Sequence, residues 1–437
     1  MTSSRQPRTL VNRGERGAVV ALLFLSLINL LNYYDRMLVV VVSEPLRLEF
    51  DLTDTQYGIL TGPAFVLVYA LGSLFFGYQA DRRNRRNILV LVLGLWSVTT
   101  ALCGLATNFL TLALARAGVS IGEAGSNPAG MSMLSDHYPP QRRSMALAIF
   151  AVGGMLGLFL SFVLGSWINE HYGWRVVFLI AGVPGIILAI ATLLRVDEPL
   201  RGRFDQSRPD QLSYAEGLRC LVANPAFVWL CIAASLGAFS SLGMMVWLPQ
   251  FFIRTHGLSV QEVGLLFGPA AALGLCAGMI AGGWFANHLA QRSLARPVTI
   301  CVVSTFAVAP LYLTVLWTHS VVLALVATFA AMALSVFYAP AYQAAIQNVC
   351  QTNLRATAAA VSNVLIAVVG QGLLPLGVGL MSDAFKELAS SAALQWSLTV
   401  AQVFVLLAGT LFVVARARTH SHFNRLTTKH DLTVITS

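Results

Sequence analysis

Long apolar stretches, separated by shorter polar segments, follow one another along the whole chain. A helix needs about 20 mostly apolar residues to cross a bilayer. The pattern predicts twelve transmembrane helices near residues 18–43, 56–80, 87–107, 109–134, 144–168, 174–195, 225–253, 259–286, 297–318, 320–348, 357–381 and 391–415. The first stretch is too long for the core of a signal peptide, so we expect it to be retained. The pattern therefore predicts an all-α membrane protein.

The composition agrees with a lipid environment. Hydrophobic residues make up 57% of the chain and charged residues 11%, against about 25% charged residues in soluble domains. The cysteines form no close pairs in sequence, so we expect free thiols at Cys103, Cys220, Cys231, Cys276, Cys301 and Cys350. No histidine has metal-ligand spacing with another, so we predict neither a metal nor another cofactor.

The positive charges are concentrated on one side of the predicted membrane. Cytoplasmic loops of membrane proteins carry an excess of Lys and Arg. With the N-terminus inside, 22 of the 28 Lys and Arg residues fall in cytoplasmic segments, and the outer loops hold only Arg47, Arg254 and Lys386. Both termini are therefore predicted to be cytoplasmic. This asymmetry accounts for the net charge of +9 without nucleic acid, and no nucleic-acid partner is predicted.

The two halves of the chain contain an internal repeat. Residues 56–82, shifted by 206, fall on 262–288 without a gap. A second block, shifted by 212, pairs Arg143 with Arg355. Such repeats are common in secondary transporters and here predict two pseudo-symmetric six-helix bundles. The predicted N-terminal bundle, cytoplasmic linker, C-terminal bundle and cytoplasmic tail cover 1–195, 196–224, 225–415 and 416–437.

Four charged residues lie in the interior of predicted spans of the first half, away from the span ends. Asp35 and Arg36 belong to the first span, and Arg116 and Glu123 to the fourth. A charge at membrane depth costs at least ~2.5–3.5 kcal/mol and is usually functional. From the helical rise, Arg36 and Arg116 lie about 10 and about 12 Å below the outer helix ends, so they share a depth. Glu123 follows Arg116 by two helical turns and lies on the same face.

These four side chains predict two kinds of chemistry. Arginine binds phosphate and carboxylate bidentately, so Arg36 and Arg116 are predicted to hold an anionic or zwitterionic head group. A carboxyl group in a low-dielectric site can exchange a proton near neutral pH. Asp35 and Glu123 are therefore predicted to be proton-linked switches that free an arginine partner when they are protonated. A salt-bridge network that only holds the two helices together is the alternative, although buried ion pairs are rarely net stabilisers.

The spans of the second half contain no acidic or basic residue away from their ends, where Arg254, Glu262 and Asp383 lie. Their polar and aromatic candidates are Phe239, Trp247, Phe337, Tyr338, Tyr342, Gln343, Asn363 and Gln371. Each of these alone is more often a packing residue than a ligand. Together with the first half they predict a cavity with one charged and one apolar wall, which suits an amphipath with an anionic head. Besides the two arginines, the substrate-binding candidates are Asn32, Tyr33, Trp247, Tyr338, Tyr342 and Gln343.

A basic motif follows the second predicted span. It reads Gly77-Tyr78-Gln79-Ala80-Asp81-Arg82-Arg83-Asn84-Arg85-Arg86. The motif resembles the signature loop of the major facilitator superfamily and departs from it at Gln79 and Asn84. An acidic residue at a helix end can pair with arginines and cap a neighbouring helix, so the motif predicts a cytoplasmic latch. Simple anchoring by positive charge is the alternative. The gating candidates are Asp81, Arg82, Arg85 and Arg143.

Three further motifs lie in the first half. They read Asn32-Tyr33-Tyr34-Asp35-Arg36, Gly118-Val119-Ser120-Ile121-Gly122-Glu123-Ala124 and Gly173-Trp174-Arg175-Val176-Val177-Phe178. With Trp247-Leu248-Pro249 they resemble the spinster branch of the superfamily. The resemblance implies export of sphingosine 1-phosphate or lysophospholipids, in some members linked to protons. We expect a monomer in a bacterial inner membrane, whose partners are the bilayer, protons and a small amphipathic substrate.

Other functions stay open at this point. A major facilitator transporter of a small organic anion or a drug-like compound fits the charged wall equally well. A membrane sensor would need a signalling domain, and the only extra segments are a short linker and a tail. A membrane enzyme has no support, because no nucleophile–base pair, metal cluster or phosphate-cradling loop is visible.

Overall fold

The computed structural model describes residues 8–202, 214–291, 296–351, 354–389 and 392–435. Within these ranges the chain forms helices and turns and no strand. The contacts divide it into two compact units. Unit 1 contains the described residues of 1–51 and 67–207, and unit 2 contains those of 52–66 and 208–437. The domain bounds derived from the repeat stay a prediction.

Eight helices precede the linker in the described residues from 8 onward. They are α1 (Arg8–Val41), α2 (Ser43–Phe50), α3 (Asp54–Thr61), α4 (Pro63–Arg82), α5 (Arg85–Cys103), α6 (Phe109–His137), α7 (Pro140–Tyr172) and α8 (Trp174–Arg195). Helix α1 packs along α7, because glycines on α7 leave room for its backbone: a side chain at Gly153 or Gly157 would overlap the carbonyl oxygens of Ser26 and Leu30. Small residues at helix contacts are typical of membrane bundles.

Ten helices follow within the part of the chain that the structure describes. They are α9 (Tyr214–Val222), α10 (Pro225–Gly237), α11 (Leu242–His256), α12 (Val260–Ala290), α13 (Val298–Trp317), α14 (Val321–Phe337), α15 (Ala339–Val349), α16 (Arg355–Leu365), α17 (Leu374–Ala389) and α18 (Ala393–Ile435). A short 3-10 turn, Ala238–Ser240, joins α10 to α11, and a π-helix, Ile366–Leu373, joins α16 to α17. Two predicted spans are therefore irregular at their centres.

Eleven segments of the described chain are long and apolar enough to cross a membrane. The fourth predicted span corresponds to α6, which has 29 residues but carries the charges of Arg116, Glu123 and Asp136. Twelve spans are consistent with this arrangement. The cytoplasmic position of both termini stays a prediction, and we use the terms outer and cytoplasmic for helix ends on that basis.

The internal repeat is visible in equivalent local contacts. Helix α3 starts with a capping box made by Thr53 and Gln56, and α12 starts with one made by Ser259 and Glu262, 206 residues later. Capping boxes satisfy backbone N–H groups that a helix start leaves unpaired. A second pair of equivalent contacts is shifted by 212 residues. Arg143 donates a hydrogen bond to the carbonyl oxygen of Ser135, and Arg355 donates one to the carbonyl oxygen of Gln347. The two copies therefore use the same contacts at equivalent positions.

Candidate functional site

A buried ion pair joins α1 and α6 in unit 1. Atom Oε2 of Glu123 lies 2.9 Å from Nη2 and 3.0 Å from Nε of Arg36. The Glu123 side chain is fully buried, whereas 16% of the Arg36 side chain is exposed. Asn32, one turn earlier on α1, accepts a 3.3 Å hydrogen bond from Arg36 and donates a 3.1 Å bond to Ser126. Arg36 thus combines a buried carboxylate partner with a partly exposed side chain.

Two tyrosine rings flank the same guanidinium. The Arg36 Cζ atom lies 5.4 Å from the ring centre of Tyr33 and 4.8 Å from that of Tyr69. Asn127 donates a 3.4 Å hydrogen bond to the hydroxyl of Tyr69. Cation–π contacts of this kind help to hold a guanidinium in place. Sequence analysis missed Tyr69 and Asn127. Asn127 could have been found, because it lies one turn after Glu123 on the same helix face.

Arg116 also contacts α1 at the level of Arg36, but it contacts the backbone of α1. Its Nη1 and Nη2 atoms donate long hydrogen bonds, 3.4 and 3.5 Å, to the carbonyl oxygens of Asp35 and Arg36. The structure therefore brings both arginines to one level, as the shared depth in the sequence indicated. The partner of Glu123 is Arg36 on the other helix, not Arg116 on its own helix.

Asp35 is the most isolated charge of the group. It is 2% exposed, its Oδ2 atom accepts a weak 3.5 Å hydrogen bond from Thr100, and its Oδ1 atom has no hydrogen-bond partner. Among the described residues it forms no ion pair within 4 Å. Burying an ionised carboxylate without a partner is costly. The expected side-chain pair between Asp35 and an arginine is absent from this part of the molecule.

The four second-half candidates for substrate binding lie in unit 2, and three of them have partners within it. Trp247 is fully buried, donates from Nε1 to the carbonyl oxygen of Pro375 at 3.1 Å and meets the Tyr57 ring edge-on. Tyr342 shares a hydrogen bond with Ser362. The remaining two candidates lie on or beside α15: Tyr338 bonds the carbonyl oxygen of Ala234 at 3.5 Å, and Gln343 is half-buried. Substrate contacts for these four residues stay a prediction.

The gating candidates fall into separate surroundings. The Arg85 side chain is 2% exposed and contacts two acidic residues that sequence analysis missed, Asp136 at 2.5 Å and Glu198 at 2.7 Å. It also donates to the carbonyl oxygen of Pro199 at 3.1 Å. This network attaches the start of the linker to α5 and to the cytoplasmic end of α6. The side chain of Asp81 lies outside the described residues.

Two other gating candidates are near the surface. Arg82 is exposed, and its Cζ atom lies 3.6 Å from the ring centre of Tyr78. Arg143 donates a 2.8 Å hydrogen bond to the carbonyl oxygen of Ser135, at the end of α6. Gating roles for these arginines stay a prediction.

The Gly-Trp-Arg motif joins three helices at the outer side of unit 1. Trp174 donates to Glu49 at 2.6 Å, and Arg175 lies 2.5 Å from the same carboxylate. Arg175 also donates to the carbonyl oxygens of Gly104 and Ala106, at the end of α5. The Trp174 hydrogen bond, followed by the contacts with Arg175, lowers the pKa of Glu49. The motif therefore connects α2, α5 and α8.

A cavity of about 560 Å³ lies at the cytoplasmic end of unit 2. Its walls come from α9, α10, α15 and the following loop, and include Cys220, Asn224 and Cys350. None of the predicted site residues lines it, so it is separate from the charged cluster of α1 and α6.

An apolar helical chain with a buried charged cluster is typical of a multi-pass membrane transport protein. The model of the Major Facilitator Superfamily matches residues 25–375. A protein of Mycolicibacterium smegmatis described as an MFS-type efflux pump is 31% identical over 93% of this chain and 94% of its own length. The chain belongs to the major facilitator superfamily, and its class is transporter rather than enzyme, as the motifs predicted.

The spinster resemblance is also confirmed by relatives. The sphingosine-1-phosphate transporter SPNS2 of Danio rerio is 25% identical over 92% of this chain and 84% of its own length. The crystal structure of a bacterial homologue of the human lysosomal transporter spinster, inward-facing and unoccupied, superposes with a TM-score of 0.85. It shares 29% identity, and the match covers 93% of this chain and 98% of that structure.

Proposed function

We propose that this chain is a secondary transporter that moves an amphipathic substrate with an anionic or zwitterionic head by alternating access, linked to protons. A lysophospholipid or a molecule like sphingosine 1-phosphate has the required chemistry. The observation that carries the proposal is Arg36, whose side chain is 16% exposed and whose guanidinium lies between two tyrosine rings and is neutralised by a buried Glu123. The proposed location is the inner membrane of a bacterium, where the chain works as a monomer.

The head group would bind at Arg36. An incoming phosphate or carboxylate offers the guanidinium two oxygens in one plane, which is the geometry that arginine binds best. Glu123 then either shares the guanidinium or gives it up. Arg116, whose guanidinium lies beside the backbone of Arg36, adds positive potential at the same level.

Proton coupling would use Asp35 and Glu123 in different ways. Glu123 is ion-paired, so a proton on Glu123 releases Arg36 for the substrate. Asp35 has an unpartnered oxygen and no described ion pair, so a proton on Asp35 removes the cost of an isolated buried charge. Protonation of Glu123 is therefore the step proposed to link proton binding with head-group binding.

Relatives support the substrate class. The name of the Danio rerio relative states transport of sphingosine 1-phosphate, an amphipath with an anionic head. A second candidate substrate class, a drug-like compound, is favoured by the Mycolicibacterium smegmatis relative, whose description is an efflux pump. Only the lipid class of substrate has a long acyl or alkyl tail.

Flux into proteoliposomes tests the proposal. Purified protein would be offered lysophosphatidate, lysophosphatidylcholine, sphingosine 1-phosphate and a neutral monoacylglycerol, with and without a pH gradient. We expect saturable transport of the first three and little of the fourth, with a rate that depends on the gradient. Transport of a cationic dye, with no competition from any lysolipid, would instead favour the drug-like class. No dependence of lipid flux on the gradient would contradict the proton linkage.

A further inference from the structure

The cavity at the cytoplasmic end of unit 2 lies where four helices meet, and we name it the linker cavity. Its volume of about 560 Å³ falls within the range of about 300–1,000 Å³ that is usual for small-molecule sites. It is lined by the last turn of α9, the starts of α10 and α16, and the end of α15. In chain order the lining residues are Cys220, Leu221, Ala223, Asn224, Pro225, Asn348, Val349, Cys350, Gln351 and Leu354.

The linker cavity has an apolar floor and an exposed rim. The side chains of Leu221, Val349 and Leu354 are buried and form the floor together with the thiol of Cys350. A buried cysteine packs like a small apolar residue. Cys220, in contrast, is exposed at the rim. An apolar floor that is open to the surface favours a ligand with an apolar part, because binding removes that part from water.

The linker cavity is located at the cytoplasmic boundary of the membrane. One candidate span begins at Pro225 and another ends at Val349, and both residues line the cavity. At this level the hydrocarbon core of a bilayer gives way to the lipid head groups. A lipid of the cytoplasmic leaflet can therefore enter the cavity with its acyl chain while its head group stays in water.

The four helices around the cavity carry few charged residues, and their balance is positive. Helix α9 contains Glu216 and Arg219, α10 and α15 contain no charged residue, and α16 contains Arg355. Glu216 and Arg219 cancel, so Arg355 leaves one net positive charge. Arg355 is also the first residue of α16, where the helix dipole is positive. Of the described residues that line the cavity none is acidic, so an anionic head group is favoured.

Two observations place Arg355 beside the linker cavity. Its Nε atom donates a 3.1 Å hydrogen bond to the carbonyl oxygen of Gln347, the residue before Asn348. Burial raises the pKa of the Cys350 thiol to about 11, and the Arg355 guanidinium acts on that pKa in the opposite direction, which requires a positive charge near the thiol. The guanidinium is therefore next to the wall that holds Cys350, where it can bind a phosphate or carboxylate head group bidentately.

The cavity separates the predicted linker from the loop after α15. A side chain at Gly217 would meet the Cδ2 atom of Leu354 at 3.0 Å, and Asn224 donates a 2.8 Å hydrogen bond to the carbonyl oxygen of Val349. The residues Asn224, Val349 and Leu354 also line the cavity. A ligand in the cavity therefore touches both sides and adds contacts between α9 and this loop.

We propose that the linker cavity binds an anionic lipid with a single acyl chain from the cytoplasmic leaflet, and that the bound lipid fastens α9 to the loop between α15 and α16. The acyl chain lies on the apolar floor, and the head group pairs with Arg355. Because α9 is the last helix of the predicted linker between the two bundles, such a site makes the linker responsive to the lipid composition of the membrane. The cavity shares no residue with the charged cluster of α1 and α6, so this site does not depend on the proposed function.

Alkylation of the native Cys350 thiol tests the site. Purified protein in phosphatidylcholine nanodiscs would be treated with N-ethylmaleimide at alkaline pH, because the raised pKa leaves little thiolate at neutral pH. Mass spectrometry of the peptide that contains Cys350 gives the rate. With lysophosphatidate at about ten times its half-saturating concentration, we expect alkylation to be about tenfold slower.

A second native thiol is the internal control. Cys276 on α12 is half-buried and does not line the cavity, so we expect its alkylation rate to stay unchanged. Equal slowing of Cys276 and Cys350 would mean that lipid in the bilayer shields both thiols, and would overturn the proposal. An unchanged rate at Cys350 would overturn it as well.

Two further probes separate the parts of the ligand. Monooleoylglycerol has the acyl chain without the charge, and we expect it to protect Cys350 only at concentrations at least about tenfold higher. Glycerol 3-phosphate has the head group without the chain, and we expect no protection. Equal protection by monooleoylglycerol would contradict the anionic head group. Protection by glycerol 3-phosphate would mark a site for small phosphate compounds and overturn the lipid.

Two variants test the floor and the charge separately, and protection is the ratio of rates with and without lysophosphatidate. Ala223→Trp places a large side chain at an exposed lining position, so we expect it to abolish protection. Arg355→Gln should raise the half-saturating concentration at least about tenfold. The matched control is Arg296→Gln, an exposed arginine of another cytoplasmic loop, with no expected change. Thermal unfolding verifies that each variant folds, and undiminished protection in either test variant would overturn the proposal.

Hydrogen exchange measures the fastening of the linker helix. We expect lysophosphatidate to slow exchange in the α9 peptide Tyr214–Val222 of the wild type and not of Arg355→Gln. Unchanged exchange in the wild type would overturn the role in holding α9. The Arg36→Gln/Glu123→Gln variant should show the same protection of Cys350 as the wild type. Loss of protection in that variant would move the effect to the cluster of α1 and α6 and overturn the separate site.

Discussion

Arg36 approaches a single oxygen of Glu123. Its Nε and Nη2 atoms lie 3.0 and 2.9 Å from Oε2, and Oε1 of the same carboxylate has no hydrogen-bond partner. The pair is therefore not the two-oxygen arrangement in which arginine and carboxylate bind most strongly. A head group that offers two oxygens can compete with such a partner.

Replacing Arg36 by lysine keeps the charge but removes the planar fork. We expect Arg36→Lys to reduce lysolipid transport nearly as much as Arg36→Ala, at least about tenfold, because a single ammonium cannot bind two oxygens in one plane. Calorimetry with lysophosphatidate on purified protein measures the loss of binding directly. The control is Arg47→Lys, where the arginine pairs with Glu44 one turn away on α2 and 28% of its side chain is exposed. Wild-type affinity in Arg36→Lys would refute head-group binding by the fork.

Neutralising both members of the pair separates binding from charge balance. If Arg36 only compensates Glu123, the Arg36→Gln/Glu123→Gln double variant should transport normally, because no buried charge is left unpaired. We expect instead a folded protein that neither binds nor transports the lipid. Thermal unfolding establishes folding, and flux establishes function. Recovered flux in the double variant would mean that the pair is structural.

Glu123→Gln and Asp35→Asn are expected to differ. The first fixes Glu123 in a neutral form that leaves Arg36 available, so substrate binding should persist while transport loses its pH dependence. The second replaces an isolated buried carboxyl by a neutral amide, so we expect unchanged or slightly higher stability, within about 1 kcal/mol, and again no pH dependence. Flux measured at several external pH values checks both, with Asp51→Asn as the control. Persistent wild-type pH dependence in both variants would exclude these carboxyl groups from proton coupling.

Arg85 is expected to be essential for stability. The Arg85→Ala variant leaves the carboxylate of Asp136 in a buried site without its cation. Such a loss typically lowers the free energy of unfolding by about 3–5 kcal/mol. Arg82→Ala changes an exposed arginine of the same motif that stacks on Tyr78, and we expect a change within about 0.5 kcal/mol. Thermal unfolding in detergent compares the two. Similar melting temperatures for the two variants would argue against the Arg85 network as a structural anchor.

Glu49 is expected to contribute stability that depends on pH. Its pKa is lowered in the folded protein, so its contribution is present above the unfolded value, about 4.3, and is lost as the pH falls through the lower folded value. Melting temperatures of wild type and Glu49→Gln should therefore converge as the pH is lowered through this range. The control is Glu170→Gln, at an exposed position. An unchanged difference between wild type and Glu49→Gln at every pH would contradict this role.

Helix positions were largely predictable from the sequence because they depend on local properties. The predicted span 174–195 coincides with α8, since an apolar run, an interrupting glycine and a final arginine define it within one stretch of chain. The repeat was predictable for the same reason, because residues 56–82 match 262–288 without a gap. The basic motif of residues 77–86 indicated the superfamily, and the motifs that contain Asp35, Arg36 and Glu123 indicated its spinster branch, without any contact being known.

The pairing of these residues was decided only by the tertiary structure. Sequence spacing placed Glu123 on the same face as Arg116, yet its partner is Arg36, 87 positions away. Which helix faces meet, and at what rotation, depends on packing between distant segments, and a helical period contains no information about that rotation. The same reason applies to Tyr69 and to Asp54, which binds Arg254 and Ser382, 200 and 328 positions further along the chain. Local periodicity determined which helices form and which charges enter the membrane, and helix packing determined which charges meet.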